Sequence, residues 1–388
     1  MAAEYARARR NNGASRSFRG GQAGLPEQKQ MLKKTDTPAP LAADPMEDAR
    51  RARLTYVSDS ESGIRRKRSG KGFAYVATDG SRITDGETRA RIRALVIPPA
   101  WEDVWICPSP DGHIQATGRD QRGRKQYRYH PDWLSCRDEA KFSSLVAFAE
   151  ALPDLRAQVD RDLSRQGVPL ERAIASIVWL LDRTMIRIGN VAYRRDNNSF
   201  GLTTLENRHV NVEGASLRFS FIGKSGQEWK LRLSDRRIAR IVRTIQEIPG
   251  QHLFQYLDDE GVRRPVNSQD VNEYIRLHAG EGFTSKHFRT WGATCAAALA
   301  FAEAETPASK RQAARQLNAV VDHVARRLRN TRAVCRRCYI HPAVIGRWEE
   351  GRLVPELAGI RRRNRRALKG FDAGESLVLR WLRQCGEA

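Results

Sequence analysis

A tyrosine near the carboxyl end of the chain has the neighbours that a phenol needs to act as a nucleophile. Tyr339 lies in residues 330–342, together with Arg332, Arg336 and Arg337. A phenol has an ordinary pKa of about 10, so it attacks phosphorus only where cations or hydrogen bonds stabilise the phenolate. The alternative interpretation is a half-buried tyrosine that packs a short helix.

Breaking and rejoining a phosphodiester has two further needs, which are charge neutralisation on the non-bridging oxygens and a proton for the leaving alkoxide. Arg187, Lys224 and Arg289 could meet them. A guanidinium suits the first need because its planar fork meets two oxygens and stays charged. A lysine suits the second because nearby cations lower its pKa toward neutrality. Taken singly, each is also typical of a salt bridge or a surface position, so the order of the three, with Tyr339 last, carries the information.

A second group of residues is suited to contacting a sugar-phosphate backbone. Tyr127 and Tyr129 are two residues apart, so on a strand they share a face. Arg124, Lys125 and Arg128 are interleaved with them, and such a mixture of aromatic and basic side chains is typical of nucleic-acid surfaces. An ordinary basic edge strand remains the alternative.

The charge balance points to a polyanionic partner. The chain has 388 residues and a net charge of +23, and the basic residues are spread along it. Whole folded faces must therefore be positive, and nucleic acid is the commonest polyanion, with an anionic membrane as the rival. No window approaches the roughly 18 apolar residues of a spanning helix, and no signal peptide is evident. We expect a soluble cytoplasmic protein that binds nucleic acid and no membrane.

Six cysteines do not indicate a disulfide framework in a chain of this length. Cys335, Cys338 and His341 have a spacing that could suggest zinc, yet no second Cys/His pair stands nearby. We predict reduced thiols, no metal site and no cofactor.

The patterning predicts an α+β protein with two folded parts after a tail. Residues 1–46 have almost no branched apolar residues and are predicted to be a disordered basic tail. Residues 47–130 are predicted to form a small, mostly β lobe, with a basic loop at 63–73, a strand at 73–76 and a helix at 87–95.

Residues 131–388 are predicted to form a larger, mostly helical catalytic domain. Three strands interrupt the helices, at 208–212, 216–222 and 228–233. Arg187 is expected beside a helix end at Gly189, Lys224 at a hairpin tip and Arg289 at a helix start. Pro342 is expected to stop the helical run that carries Tyr339.

These motifs closely resemble the type IB DNA topoisomerases, in particular the compact bacterial and poxvirus-like branch. The resemblance covers about residues 50–350. It rests on the segment 118–129, Arg187-Ile-Gly-Asn, Gly201-Leu-Thr-Thr-Leu205, Phe-Ile-Gly-Lys224, the Arg289 motif and Asn330-Thr followed by Tyr339-Ile-His-Pro.

The resemblance implies that Tyr339 attacks one DNA strand to give a 3′-phosphotyrosyl link and a free 5′-hydroxyl. The nicked duplex then swivels, and the hydroxyl reverses the attack without ATP or metal. It also implies a monomer, associated with the nucleoid, whose two lobes form a clamp around duplex DNA. The roles that it assigns are contact with the scissile phosphate for Arg187, Arg289 and Asn330, general acid for Lys224, and DNA contact for Arg124, Gln126, Tyr127 and Tyr129.

One position departs from the family pattern. The residue before Asn330 is usually glycine in this family, and here it is Arg329. If that position has a positive φ, arginine costs on the order of 1 kcal/mol. If the helix continues through it, nothing is lost and one more cation faces the DNA.

Two other functions fit part of the pattern. A tyrosine recombinase shares the chemistry, but such enzymes typically have histidine three positions before the second arginine, where this chain has Lys286. They also lack the tyrosine-bearing segment at 118–130. A non-catalytic DNA-binding clamp would not need the complete set of Arg187, Lys224, Arg289 and Tyr339.

Overall fold

The computed structural model describes residues 45–70, 72–305 and 307–386. Most of the predicted tail, residues 1–44, lies outside the described residues. Its last two residues open helix α1, Pro45–Arg51, which packs against the amino-terminal end of the long helix α3, Pro131–Leu163. Arg137 of α3 pairs with the buried carboxylate of Asp48 at 2.8 Å, so this first helix is tied to the larger part of the protein.

The amino-terminal part is built on a five-stranded antiparallel sheet in the order β2-β1-β3-β4-β5. One helix, α2 at Gly86–Ala94, packs on it through Ile92, which joins a small core with Ile64, Val104 and Ile106. The strands are β1 Ile64–Ser69, β2 Gly72–Val76, β3 Glu102–Ile106, β4 Ile114–Arg119 and β5 Lys125–Tyr129. The predicted strand at 73–76 and helix at 87–95 are confirmed.

The predicted basic loop at 63–73 is wrong, because most of it forms strand β1. The run has only one branched apolar residue, Ile64, so it lacks the alternation that marks a half-buried strand. Its arginines supply the packing instead. Arg66 lies over the ring of Phe73, with Cζ 4.1 Å from the ring centroid, and donates to the carbonyl of Pro98 at 3.1 Å. The aliphatic part of a basic side chain can cover a sheet while its charged end stays hydrogen-bonded or in solvent.

The carboxyl-terminal part is mostly helical, with a three-stranded antiparallel sheet in the order β6-β7-β8. The three predicted strands are confirmed, although the first begins two residues late because residues 207–209 form a 3₁₀ turn. The strands are β6 Val210–Glu213, β7 Ser216–Ile222, β8 Glu228–Ser234 and a short pair, β9 Gln255–Leu257 with β10 Arg263–Pro265. The helices after α3 are α4 Leu170–Thr184, α5 Val191–Asn197, α6 Arg236–Gln246, α7 Ser268–Ala279, α8 Ser285–Ala302, α9 Lys310–Leu328, α10 Arg332–Cys338, α11 Pro342–Glu349, α12 Leu353–Arg363 and α13 Ala373–Gly386.

Helix α8 lies at the centre of this part and packs against α3, α4, α9, α12 and α13. An ion network fixes it there. Arg156 of α3 pairs with Asp182 of α4 at 2.9 Å and with Glu375 of α13 at 2.7 Å, and Trp291 of α8 donates to Glu375 at 3.0 Å. Burial disfavours the Arg156 cation, but the two carboxylates raise its pKa overall, so the network stays charged. Four helices are thereby held in register around the residues described next.

Within the part of the chain that the structure describes, no helix is both long and apolar enough to cross a membrane.

Candidate active site

Tyr339 lies in a short joint between two helices. Helix α10 ends at Cys338, Tyr339 follows it as the capping residue, and α11 begins at Pro342. The expectation that Pro342 stops a helical run is therefore wrong, because Pro342 opens the next helix with His341 as its cap. A proline is well tolerated at a first helical position, where its missing N–H would have had no partner.

The joint is fixed to α8 by a single threonine. The hydroxyl of Thr294 donates to the carbonyl of Tyr339 at 3.3 Å and accepts from the backbone N–H of His341 at 3.1 Å. Ile340, between them, is fully buried. The backbone that carries the phenol is thus held on both sides, and the phenol's position depends on α8.

Arg289 lies one turn inside α8, not at its start, and is only 4% exposed. Its Nη1 donates to the carbonyl of Met185, just past α4, and its Nη2 donates to the carbonyl of Leu328 at the end of α9, at 3.0 Å. The guanidinium carbon is 5.0 Å from the centroid of the Tyr339 ring. Arg289 therefore joins the ends of two helices and places its charge beside the phenol.

Arg187 follows α4, but that helix ends at Thr184 and not at the predicted Gly189. Gly189 does have a positive φ of 99°, for a different reason. A Cβ at Gly201 would lie 2.5 Å from the backbone nitrogen of Gly189, so the two glycines let two backbone segments touch. Leu202 donates its N–H to the carbonyl of Arg187 at 2.9 Å, which fixes the direction of the segment. The Gly201–Leu205 motif thus serves to position Arg187.

Asn330 follows directly on a left-handed residue. Arg329 has φ 48° and ψ 60°, so α9 ends there, and the N–H of Asn330 donates to the carbonyl of Ala325 at 3.0 Å. Arg329 therefore has the positive φ that was one of its two alternatives, and the helix does not continue through it. The resulting turn brings the Asn330 amide oxygen to 3.2 Å from Nη2 of Arg187.

Three buried donors in this cluster have no hydrogen-bond partner among the described residues. They are Nη1 of Arg187, Nε of Arg289 and Nδ2 of Asn330. Buried polar groups are nearly always bonded, and three orphan donors at one place require explanation. They come from the ends of α4 and α9 and from α8, and they surround one tyrosine. A tetrahedral anion with several oxygens is the group that such a set suits.

The surroundings also favour the phenolate. Burial raises the pKa of Tyr339, but the nearby charges of Arg289 and Arg187, together with the polar side chain of Asn330, outweigh it, so the pKa is lowered below that of an ordinary phenol. Burial and the neighbouring Arg187 lower the pKa of Arg289 to about 10, which leaves it a cation at neutral pH. The Tyr339 phenol and the two cations beside it are therefore already assembled.

Lys224 is not part of this assembly. It lies at the predicted hairpin tip between β7 and β8, in the 3₁₀ turn Lys224–Gly226, and it is exposed. Its Nζ is 5.4 Å from the ring centroid of Tyr193 on α5. Among the described residues, Lys224 forms no hydrogen bond, ion pair or ring contact with Arg187, Arg289, Asn330 or Tyr339.

The four predicted DNA-binding residues lie together on or beside edge strand β5. The rings of Tyr127 and Tyr129 stack with centroids 5.6 Å apart and are 41% and 36% exposed, as their shared face predicted. Nε of Arg124 and Nε2 of Gln126 both donate to Asp120, at 2.8 and 3.0 Å. Arg124 also reaches Asn197 of α5 at 3.4 Å, so this edge of the sheet touches the helical part.

Two further residues at the site had no signal in the sequence. Lys141 of α3 donates to the carbonyl of Cys338, and its Nζ is 5.4 Å from the Tyr339 ring centroid. Thr294 holds the backbone joint. A lone lysine or threonine inside a helical pattern is normally a surface or packing residue, and only the fold brings these two to Tyr339.

The thiols near Tyr339 do not form a metal centre in the described structure. Cys335 is fully buried, and burial raises its pKa to about 12. All six cysteines are unpaired in the structure. Over residues 45–70, 72–305 and 307–386, no group of three or more His, Cys, Asp or Glu side chains is placed to hold a metal ion.

Comparisons with known proteins agree with this geometry. Residues 128–352 match the family model described as the eukaryotic DNA topoisomerase I catalytic core, and residues 72–120 match that of the bacterial DNA topoisomerase IB N-terminal domain. The chain is 32% identical to DNA topoisomerase 1B of Acanthamoeba polyphaga mimivirus over 285 residues, which is 72% of this chain and 85% of the viral protein. It is 23% identical to DNA topoisomerase 1B of vaccinia virus over 43% of this chain and 52% of that protein.

Proposed function

The chain belongs to the type IB DNA topoisomerases, and on that premise we propose that it relaxes supercoiled duplex DNA through a transient covalent bond between Tyr339 and one strand. The observation that carries the mechanism is the cluster of three unpartnered buried donors around this tyrosine. A scissile phosphate beside Tyr339 would give Arg187, Arg289 and Asn330 the acceptors that they lack.

The proposed reaction exchanges one phosphoester for another. The Tyr339 oxygen attacks phosphorus, a 3′-phosphotyrosyl bond forms, and the bond from phosphorus to the 5′-oxygen breaks. The leaving 5′-oxygen takes a proton and departs as a hydroxyl, while the phenol's own proton goes to solvent. The same hydroxyl later attacks the phosphotyrosine and restores the strand. Because every step replaces one phosphoester bond by another, no bond energy has to be supplied and the cycle needs no ATP. The two guanidiniums neutralise the phosphate oxygens, so these residues can supply the charge without a metal ion.

Lys224 is the proposed donor of the proton to the 5′-oxygen. Its exposed position on a hairpin tip means that the β7–β8 turn must close on the DNA before cleavage. Ser225 and Gly226 both have positive φ in this turn, which leaves Lys224 on a tight, projecting loop that can enter a groove.

We further propose that a monomer encloses the duplex between the helical part and the Tyr127–Tyr129 face of β5. Arg124, Gln126 and the two tyrosines would contact the DNA backbone there. In this arrangement the contact between Arg124 and Asn197 must open or rearrange when the duplex enters.

The first test is relaxation of supercoiled plasmid in EDTA and without ATP. We expect wild-type protein to relax plasmid that contains no special target site, at enzyme levels well below one molecule per plasmid. Tyr339→Phe should abolish relaxation, at least about 10⁴-fold, because it removes the attacking oxygen and leaves the ring packing intact. DNA binding by the variant, measured by gel shift, should persist.

An equally active Tyr339→Phe variant would remove Tyr339 from the role of nucleophile. A requirement for a fixed target sequence and a tetrameric complex would instead indicate a recombinase. Loss of relaxation together with loss of DNA binding would point to a structural role for the phenol, and a thermal melt of the variant separates that case.

A further inference from the structure

A groove at the far end of α8 from Tyr339 combines an apolar floor with a basic rim. Its volume is about 520 Å³. The floor is made by Ala302, the last residue of α8, and by Val354, Leu357 and Ala358 of α12. A cleft of this size is in the range that proteins use to hold a small ligand or a few residues of a peptide.

The rim consists of three exposed arginines, Arg361, Arg362 and Arg365. Arg361 and Arg362 follow Ala358 by three and four residues, so they lie on the same face of α12, and Arg365 lies just past the helix end. The apolar floor and the positive charges therefore form one continuous strip along α12.

The charge of this strip is not balanced by the protein itself. In the described part of the chain, none of the arginines in the run 361–366 forms an ion pair. One turn earlier on the same helix the situation is different, because Glu356 accepts Arg347 and Arg352, each at 3.2 Å. Arginines are thus paired with a carboxylate at one end of α12 and form no such pair at the other, which leaves a local positive field for a partner.

The strip lies away from the phosphate-binding cluster. Arg289 and Ala302 stand near opposite ends of α8, and at about 1.5 Å per residue they are about 20 Å apart along the helix. The groove is therefore not an extension of the site around Tyr339.

We propose that this groove binds an acidic peptide segment of another protein, with an apolar side chain on the floor and carboxylates on the three arginines. Arginine forks meet carboxylates with two parallel hydrogen bonds, and clusters of arginine are a common means of recognising acidic motifs. The apolar floor argues for a peptide over nucleic acid. A duplex presents sugars and phosphates outward and has no apolar group to cover Val354 and Ala358.

The test is fluorescence anisotropy with the full chain and a labelled peptide in which aspartates flank one leucine and one phenylalanine, at about 150 mM salt. We expect saturable binding to the wild type. The triple variant Arg361→Glu, Arg362→Glu, Arg365→Glu should bind at least about tenfold more weakly. Ala358→Glu, a single change at an exposed helical position, should weaken binding by blocking the floor.

The matched control reverses three exposed arginines on α6, namely Arg236→Glu, Arg240→Glu and Arg243→Glu. It alters the net charge by the same amount, so peptide binding should be retained. Plasmid relaxation should be unchanged in the groove variants, which keeps this proposal separate from the proposed function. Circular dichroism and thermal melts establish that each variant is folded.

Four results would overturn the proposal. The first is no saturable binding to the wild type. The second is equal weakening by the α6 control, which would show only a response to net charge. The third is equal binding of a peptide with alanines in place of leucine and phenylalanine, since the floor would then be unused. The fourth is displacement of the peptide by a short duplex that itself loses affinity in the groove variant, which would make the strip a second DNA surface.

Discussion

The cluster around Tyr339 and the hairpin that carries Lys224 differ in how far each is prepared for chemistry. Arg289 is almost completely buried and bonded to two helix ends, whereas Lys224 is exposed on a turn and contacts a tyrosine ring outside the cluster. The first region is held by α8, by the close backbone contact between Gly189 and Gly201, and by the turn at Arg329. The second is joined to the protein by the strands β7 and β8 at its base, and Lys224 at its tip lies beside the ring of Tyr193 of α5.

The difference separates two requirements of the proposed reaction. Charges that are already fixed in place need no reorganisation when a phosphate binds. Such preorganised groups contribute most to stabilising the charge of a transition state. A proton donor that reaches the site only when its hairpin closes on bound DNA would make cleavage depend on correct docking of the duplex. The comparison therefore predicts that changes in the cluster act on every substrate, and that changes at the hairpin act only where a proton is needed.

The largest effect is expected for Arg289→Ala. It removes a buried cation from the phosphate site, so we expect single-turnover cleavage to slow by about 10³-fold. The same change removes the main charge that lowers the pKa of Tyr339, so that pKa should rise. The cleavage rate should then increase with pH up to a higher pH than in the wild type. Rates measured from about pH 6 to pH 10 on a suicide substrate test both parts.

Arg289→Lys is the matched variant, because it keeps a charge and loses the fork that bonds Met185 and Leu328. We expect an intermediate rate and a pH profile close to that of the wild type. If Arg289→Ala slowed cleavage with no change in the pH profile, Arg289 would not be tuning the phenol, and its contribution would be limited to the phosphate.

A smaller and substrate-dependent effect is expected for Lys224→Ala. On ordinary DNA we expect cleavage to slow by about 10²-fold, because the 5′-oxygen leaves poorly without a proton. On DNA with sulfur at the 5′-bridging position the rate should recover, since a thiolate leaves without protonation. Cleavage rates on the two substrates, measured side by side, give the ratio directly.

Lys224→Arg serves as the control, because it keeps the positive charge but holds its proton too tightly to donate it near neutral pH. It should resemble Lys224→Ala on the oxygen substrate and recover on the sulfur one. Failure of both variants to recover would mean that Lys224 binds or aligns the DNA, and the contrast between the two regions would then lose its chemical basis.

The smallest effect is expected at Arg329, at the edge of the cluster. Arg329→Gly should raise the free energy of unfolding by about 1 kcal/mol, because glycine adopts φ 48° without the steric cost that arginine has. Chemical denaturation measures this. Arg329→Ala is the control, since it removes the charge and keeps the strain, so it should show no such gain. A stabilised alanine variant would assign the effect to charge repulsion instead.

Much of the local structure was predictable from the sequence, and the site was predictable only in part. Apolar periodicity located the strands of the three-stranded sheet and predicted a mostly helical domain around them, because one buried face leaves a regular pattern. It failed at β1, where arginine stems replace branched apolar residues. Glycine as a helix-end signal was also misleading, because it placed the end of α4 at Gly189, whereas that helix ends at Thr184 with Met185 as its cap and Gly189 allows the close contact with Gly201.

The long-range contacts of the site had no local signature. Thr294 and Lys141 reach Tyr339 only because α8 and α3 pack beside α10 and α11, and nothing in the sequence around either residue indicates this. For Lys224, in contrast, the local structure was predictable. Its hairpin was predictable from two glycines and the flanking strands, but its separation from the cluster was not, because that depends on long-range packing that leaves no local pattern.

The joint at Tyr339 has a mechanical consequence. During the proposed relaxation, torque from the swivelling duplex would be carried by the bond to Tyr339 and so by the backbone between α10 and α11. The Thr294 hydroxyl hydrogen-bonds to that backbone at both Tyr339 and His341, and the residue between them, Ile340, is buried. The torque would therefore be transmitted directly to α8, at the centre of the helical part, and not to a flexible loop. The tethered strand end would then stay aligned for resealing however many turns the other end makes.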